Sequence, residues 1–362
     1  MKNDPQFLVK RRVMEKLKDF YDYVRKNDGK IGTKQRGIEL NFNNACNFRC
    51  EHCFTDSNIG SHAKDEMPID VVADLANQAD ELGMFEFDLQ GGELTVRPEK
   101  LYEVVEAIQP ERFYLYVTTN GFLFNAKVAE RLAELGVSRL SVSLDSFDEK
   151  VHDKFRGKRG ALKKAMEALE HAKTAGMSAY MNITVGHYNA FDEDIEKLLR
   201  HSKDNGYTTL LNVACPSGSW SSNEKVMCNE KDTAHIIELR KKYKNIFRNL
   251  WNPLDKQFED VLGCNTVNRM YITPLGDVLV CPYVHIKIGN IYEKSLREIK
   301  DYGFSINRFR DYNTLCLAGE DKEFNQKYMQ FEGQSIFNPV LASDVFTEDD
   351  FVKEESGTRT YL

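Results

Sequence analysis

From residue 37 to residue 213 short β-rich runs alternate with longer amphipathic stretches, and no other feature limits the fold of this chain so tightly. The strand-like runs cover 37–43, 85–89, 112–118, 138–144, 178–185 and 208–213. Helical periodicity fills 68–82, 97–108, 126–135, 161–175 and 191–205 between them. Strands separated by helices of this length pair in parallel through right-handed crossovers. Six such units build an α/β fold, either a doubly wound sheet or a partial barrel, and in both the ligands gather at the carboxyl ends of the strands.

The polar and glycine-rich punctuation of this region falls at those ends. Cys46 to Cys53 follow the first run, Gly91-Gly92-Glu93 the second, and Thr118-Thr119-Asn120-Gly121 the third. Ser143-Leu144-Asp145-Ser146 follow the fourth, His187 and Asn189 the fifth, and Cys215-Pro216-Ser217-Gly218 the sixth. Such a coincidence puts one site on one rim.

The chemistry of that rim is set by Cys46-Asn47-Phe48-Arg49-Cys50-Glu51-His52-Cys53. Three thiols on one short loop suit zinc or an iron–sulfur cluster, since thiolates are soft ligands. A ferredoxin-type run has a fourth cysteine close by, but here none follows until Cys215. A cluster held by three thiols leaves one iron open to an outside ligand. The alternative, a zinc knuckle completed by His52, is disfavoured because His52 adjoins Cys53 and cannot easily share its metal.

The C-x3-C-x2-C spacing of Cys46, Cys50 and Cys53 resembles the signature of the radical S-adenosylmethionine (SAM) superfamily. That resemblance implies a (β/α)6 partial TIM-type barrel and a [4Fe-4S] cluster whose open iron chelates the methionine end of SAM. It also implies reductive cleavage of SAM to a 5′-deoxyadenosyl radical that abstracts hydrogen from an organic substrate, with a flavodoxin- or ferredoxin-type electron donor. His52 falls where the family's backbone faces the adenine. Gly91, Gly92 and Glu93 resemble its GGE motif, in which glycine backbone lets the methionine approach and the carboxylate receives its ammonium group. Leu94 stands where proline often follows. Thr119 and Ser143 match positions that contact SAM, although strand-end hydroxyls also serve as caps. Asp145 caps or stabilises its loop, and Asn120-Gly121 reads as ordinary turn chemistry.

The rest of the chain reads as accessories. Apolar residues at 13, 17, 20, 21 and 24 predict a leading helix, with a polar linker at 27–35. A bridging helix is expected over 231–248, then β-rich runs flanking Pro274-Leu275-Gly276-Asp277 as a hairpin, and a helix over 295–300. Cys264, Gly276, Cys281 and Cys316 resemble the Twitch or truncated SPASM extension of radical SAM enzymes, which implies one auxiliary iron–sulfur cluster in a small α+β domain. The alternative is three packed thiols. Either a fourth ligand comes from Cys215, Cys228, His285 or Asp321, or this cluster too has an open iron that binds substrate; the open iron is the expectation. Cys215 or Cys228 are also candidates to return a hydrogen atom to a substrate radical, or are simply packed.

The expected division is 1–36, leading helix and linker; 37–230, barrel; 231–320, bridging helix and auxiliary-cluster region; and 321–362, an extension with a short helix near Phe324. A net charge of −7 argues against broad nucleic-acid or anionic-membrane binding. No apolar run approaches the ~18 residues of a membrane span, and residues 1–12 lack a signal-peptide stretch. Eight cysteines suit a reducing cytoplasm better than a disulfide framework. The leading segment is small for a peptide-recognition domain, which favours a small-molecule substrate (a sugar, alcohol or natural-product intermediate) undergoing dehydrogenation, epimerisation or rearrangement. The alternatives are a peptide-modifying maturase and, outside catalysis, an electron-transfer or structural metal protein.

Overall fold

The computed structural model describes residues 10–353 except 58–61, 63, 256, 258 and 332. The first nine residues, part of the segment read for a signal peptide, and the last nine of the C-terminal extension lie outside the described residues.

Six parallel strands form in the expected order: β1 (Gly37–Asn41), β2 (Glu86–Gln90), β3 (Tyr114–Thr119), β4 (Arg139–Ser143), β5 (Ser178–Val185) and β6 (Thr208–Val213). The leading helix is α1 (Arg11–Lys26). The crossovers are α2 (Ile69–Glu81), α3 (Pro98–Ile108), α4 (Ala126–Glu134), α5 (Glu149–Phe155), α6 (Ala161–Thr174) and α7 (Glu193–Asp204). Together they make a partial TIM-type barrel. The short α5 was not legible in the apolar periodicity. Asp148 starts it, its carboxylate accepting from the amides of Lys150 and Val151.

One face of every strand packs outward on the helices. Ile38, Leu40, Phe87, Leu89, Leu115, Val117, Leu140, Val142, Met181 and Ile183 are buried in that core. The alternate positions, among them Glu39, Asp88, Thr118, Asn182 and Asn212, point inward, because successive strand side chains face opposite ways. Strands covered on both faces ordinarily read as apolar runs; here the alternation gives a polar lumen. The leading helix closes the opposite mouth, with Val13, Phe20 and Val24 packed on Phe85 and Leu262. Lys16 donates there to the carbonyl oxygens of Met84 and Arg112, at 2.7 and 3.0 Å.

The expected bridging helix is shorter, α8 (Glu230–Lys242), opened by an Asn229–Asp232 capping box. The chain turns extended at Tyr243, and Ile246–Phe247 become β7 beside β6. The hairpin forms as β8 (Arg269–Ile272) and β9 (Asp277–Cys281), and an unexpected third strand follows, β10 (Val284–Asn290). His285 and Lys287 interrupt its apolar reading, and it pairs irregularly with β9. β8 lies parallel to β1, so the C-terminal strands and the short β11 (Val340–Leu341) continue the barrel sheet past β1. The expected C-terminal helix is α9 (Leu296–Gly303), held by a Ser295–Glu298 capping box. Another short helix spans Lys322–Tyr328.

Candidate active site

The cysteine loop leaves the carboxyl end of β1 and is held by its neighbours. The amide of Phe48 donates to Cys46 Sγ at 3.4 Å, and Cys53 Sγ lies 3.4 Å from Thr55 Oγ1. Arg156, at the end of α5, points its guanidinium toward Cys50 Sγ at 4.0 Å. That guanidinium is fixed by Asp145, with Nε donating to Oδ2 at 2.7 Å, while Asp145 Oδ1 accepts from the amide of Thr184 at 3.0 Å. Asp145 therefore stabilises its loop, and Arg156 is a site residue that sequence reasoning missed. Burial pushes the Cys50 thiol up and Arg156 opposes this. Burial also pushes Cys46 up, to about 12.

The loop after β2 presses against the cysteine loop. A Cβ at Gly91 would stand 2.3 Å from Asn41 Oδ1, and one at Gly92 would stand 2.3 Å from the carbonyl oxygen of Ala45. Glycine is required here by the contact of two loops. Glu93 is buried and ties three segments together. Its Oε1 accepts from the Thr95 amide at 3.0 Å and from Thr119 Oγ1 at 2.6 Å, and its Oε2 accepts from the Asn120 amide at 2.7 Å. Thr119 thus spends its hydroxyl on Glu93. Asn120, set aside as turn chemistry, also reaches Asn47 Oδ1 at 2.9 Å and so braces the cysteine loop.

Cys46, Cys50, Cys53, Gly91, Gly92, Glu93, Thr119, Ser143 and His52 all line one cavity of about 110 Å³. His52 stacks on Phe155 at 4.3 Å, beside Trp220. Burial, with Arg156 adding, lowers its pKa to about 3, so the ring is neutral. Its buried Nδ1 has no hydrogen-bond partner among the described residues.

A second cavity, of about 130 Å³, adjoins the first and shares the walls His52, Phe54, Gln90, Thr118, Ser143 and Arg156. Its floor is the polar lumen. Arg269 on β8 bridges Glu39 at 3.1 Å and Asp88 at 2.9 Å. Burial, only partly offset by Arg269, pushes the Glu39 carboxyl up to about 7. Asn182 Oδ1 is buried and has no partner among the described residues. This lumen was also missed; its signal was the polar–apolar alternation within each strand. Cys215, Pro282 and Tyr283 form the far wall.

Beyond that wall lie the other predicted thiols. Cys281 ends β9, the Cys264 amide donates to the Asn313 carbonyl at 2.9 Å, and the Cys316 amide donates to Glu320 Oε2 at 2.8 Å. Arg248 holds that carboxylate with both ends of its guanidinium, at 3.1 and 2.8 Å. Burial pushes the Cys281 thiol up, and Cys316 and Cys264 add to this, so the three thiols form one neighbourhood. All eight cysteines are free.

Among the described residues no group of His, Cys, Asp and Glu converges tightly enough for a single metal ion. Thiols spread over a cavity wall suit a multi-iron cluster, which bridges ligands too far apart to share one ion. The soft donors, the adjoining cavity and the orphaned His52 nitrogen fit a cluster with a polar ligand beside it.

Residues 40–201 match the radical SAM superfamily, and residues 264–321 match SPASM, an iron–sulfur cluster-binding domain. The chain is 26% identical over 332 residues to an AdoMet-dependent heme synthase of Methanosarcina barkeri, covering 81% of this chain and 94% of the relative. It is 25% identical over 292 residues to a GTP 3′,8-cyclase of Marinobacter nauticus, covering 75% and 84%. In fold it is similar to Streptococcus suis SuiB bound to precursor peptide SuiA, with a TM-score of 0.59 at 16% identity over 83% of this chain and 70% of that one. Among the described residues no helix is long and apolar enough to cross a membrane.

Proposed function

Because the chain belongs to the radical SAM superfamily and carries a SPASM iron–sulfur domain, we propose that it is a radical SAM enzyme acting on a small polar molecule held in the barrel lumen. The observation that carries this reading is the polar cavity between the two thiol sets, walled by His52 and Arg156 at one end and by Cys215 and Tyr283 at the other.

In this reading Cys46, Cys50 and Cys53 hold the [4Fe-4S] cluster that binds SAM, and Cys264, Cys281 and Cys316 hold an auxiliary cluster. When bound, the first cluster and SAM supply a 5′-deoxyadenosyl radical by one-electron reduction, the electron coming from a flavodoxin- or ferredoxin-type donor. The chain's own residues bind, orient and shield. Gly91 and Gly92 seat the second loop on the cysteine loop, and Glu93 locks the ends of β2 and β3 into one wall for the methionine end of SAM. His52, flat against Phe155 and neutral, places its backbone toward the adenine without adding charge. Ser143 faces both cavities, at the junction where SAM and substrate meet.

The lumen then selects the substrate. Arg269, Glu39, Asp88, Asn182 and Asn212 present donors and acceptors in a space that excludes bulk water, where each polar contact counts for more than at a surface. Burial favours the protonated form of Glu39, and in that form its carboxyl can donate to a substrate oxygen. Two relatives that span most of the chain are named for small molecules, heme and GTP, which favours that substrate class. Free thiols throughout suit a reducing cytoplasm.

Anaerobically reconstituted, reduced protein should release 5′-deoxyadenosine from SAM. Deuterated polar small molecules should be screened for label transfer into it. Transfer from one of them supports the reading. Label transfer only from a peptide would replace it with the maturase alternative.

A further inference from the structure

Cys215 stands just beyond β6, on the rim where the C-terminal thiols meet. It is 6% exposed, with Sγ 3.2 Å from the carbonyl oxygen of Val213. Cys316 lies within interaction reach of the Cys215 thiol. Cys281 lies within electrostatic reach of Cys215, and Cys264 and Cys316 lie within reach of Cys281. The four sulfurs are therefore one connected group drawn from four separate segments.

A second observation comes from the packing of the backbone. At Gly319, three residues after Cys316, a Cβ would stand 2.9 Å from the Ala214 carbonyl oxygen and 3.1 Å from Cys215 Sγ. The turn that carries Cys316 is pressed onto the segment that carries Cys215, and only a residue without a side chain allows this approach. The Cys228 amide pins the same turn from another side, donating to the Gly319 carbonyl at 3.2 Å. Cys228 itself turns its sulfur toward the Val185 carbonyl, at 3.9 Å.

Resting on the reading that Cys264, Cys281 and Cys316 hold an auxiliary iron–sulfur cluster, we propose that Cys215 is the fourth thiolate ligand of that cluster. A bond forms between Cys215 Sγ and iron, and the thiol proton leaves to solvent. Two consequences follow. Four protein thiolates leave no auxiliary iron open, so that cluster passes electrons and does not hold substrate. A ligated Cys215 also has no S–H hydrogen to return to a substrate radical, which removes the donor role expected for it from the sequence.

The test uses the full chain carrying Cys46→Ala, Cys50→Ala and Cys53→Ala, reconstituted with iron and sulfide, so that only the auxiliary centre contributes to iron analysis and Mössbauer spectra. This protein should retain iron in an all-sulfur environment. Adding Cys215→Ser should introduce an oxygen-ligated iron subsite or lower the iron content, whereas adding Cys228→Ala should change neither. Unchanged iron and spectra in the Cys215→Ser protein would overturn the assignment while leaving the auxiliary cluster in place. If that variant does not fold, the triple variant carrying Cys228→Ala still decides, because Cys215 is then the one thiol left beside Cys264, Cys281 and Cys316: all-sulfur iron supports the assignment and a nitrogen- or oxygen-ligated subsite overturns it. A triple variant that folds but binds no iron would overturn the auxiliary-cluster reading itself.

Discussion

The two thiol sets of this molecule are assembled by opposite routes. Cys46, Cys50 and Cys53 share one loop, and neighbouring strands only brace it, through Arg156, Asp145, Glu93 and Asn120. The C-terminal thiols are brought together by the fold: Cys215 after β6, Cys264 before β8, Cys281 at the end of β9 and Cys316 in a turn fixed by Glu320. A cluster on the first set closes a short loop, whereas one on the second ties together segments far apart in sequence. Closing long loops removes more entropy from the unfolded chain. The first set should therefore matter mainly for chemistry and the second mainly for stability.

That contrast can be broken experimentally. Cys50→Ala should lower 5′-deoxyadenosine formation by at least about three orders of magnitude, since the ligands act as a unit. It should shift the thermal midpoint of the reconstituted protein by only a few degrees. A large loss of stability with residual cleavage would reverse the contrast.

Arg248→Met removes the partner of Glu320, leaving a carboxylate that Arg248 otherwise holds below its ordinary pKa against the effect of burial. Breaking such a pair by removing one member costs about 3–5 kcal/mol, to be read from denaturant midpoints of the protein before reconstitution. Auxiliary iron should fall with it, while the first cluster's content should not.

Cys281→Ala should cost the reconstituted protein about 3 kcal/mol, the scale of a lost long-loop cross-link. Cleavage of SAM in the absence of substrate should continue. Equal stability with and without the auxiliary cluster would remove the stapling argument.

The smallest effect concerns the lumen that separates the two sets. The Glu39 carboxyl is pushed up from 4.5 to about 7 by burial. Between those values the folded chain keeps a proton that the unfolded chain releases, so stability falls as pH rises through that window. Glu39→Gln should flatten this slope, read from denaturant midpoints measured across the window. A slope identical in both proteins would assign it to other groups.

Sequence made the local half of this picture legible. The spans Ser178–Val185 and Thr208–Val213 form as read, and the three thiols of the first loop face one cavity with Gly91, Gly92 and Glu93. Features that depend on distant partners escaped. Arg269 meets Asp88 across 181 residues, which no periodicity encodes. Arg156 was hidden because α5 is a single capped segment of 7 residues with little apolar pattern. Sequence left Cys215 open between fourth ligand, hydrogen donor and packed thiol; the Cys316 turn pressed onto its segment is what separates these. β10 was obscured by His285, which is buried on the strand and bonds to Ser217 at 3.2 Å.

The most direct measurement is the electron paramagnetic resonance spectrum of the reduced, fully reconstituted chain with and without SAM. The account predicts two signals, one perturbed by SAM and absent from the Cys46, Cys50 and Cys53 alanine variant, the other indifferent to SAM and retained there. A chain with its full complement of iron whose spectrum does not respond to SAM would contradict it.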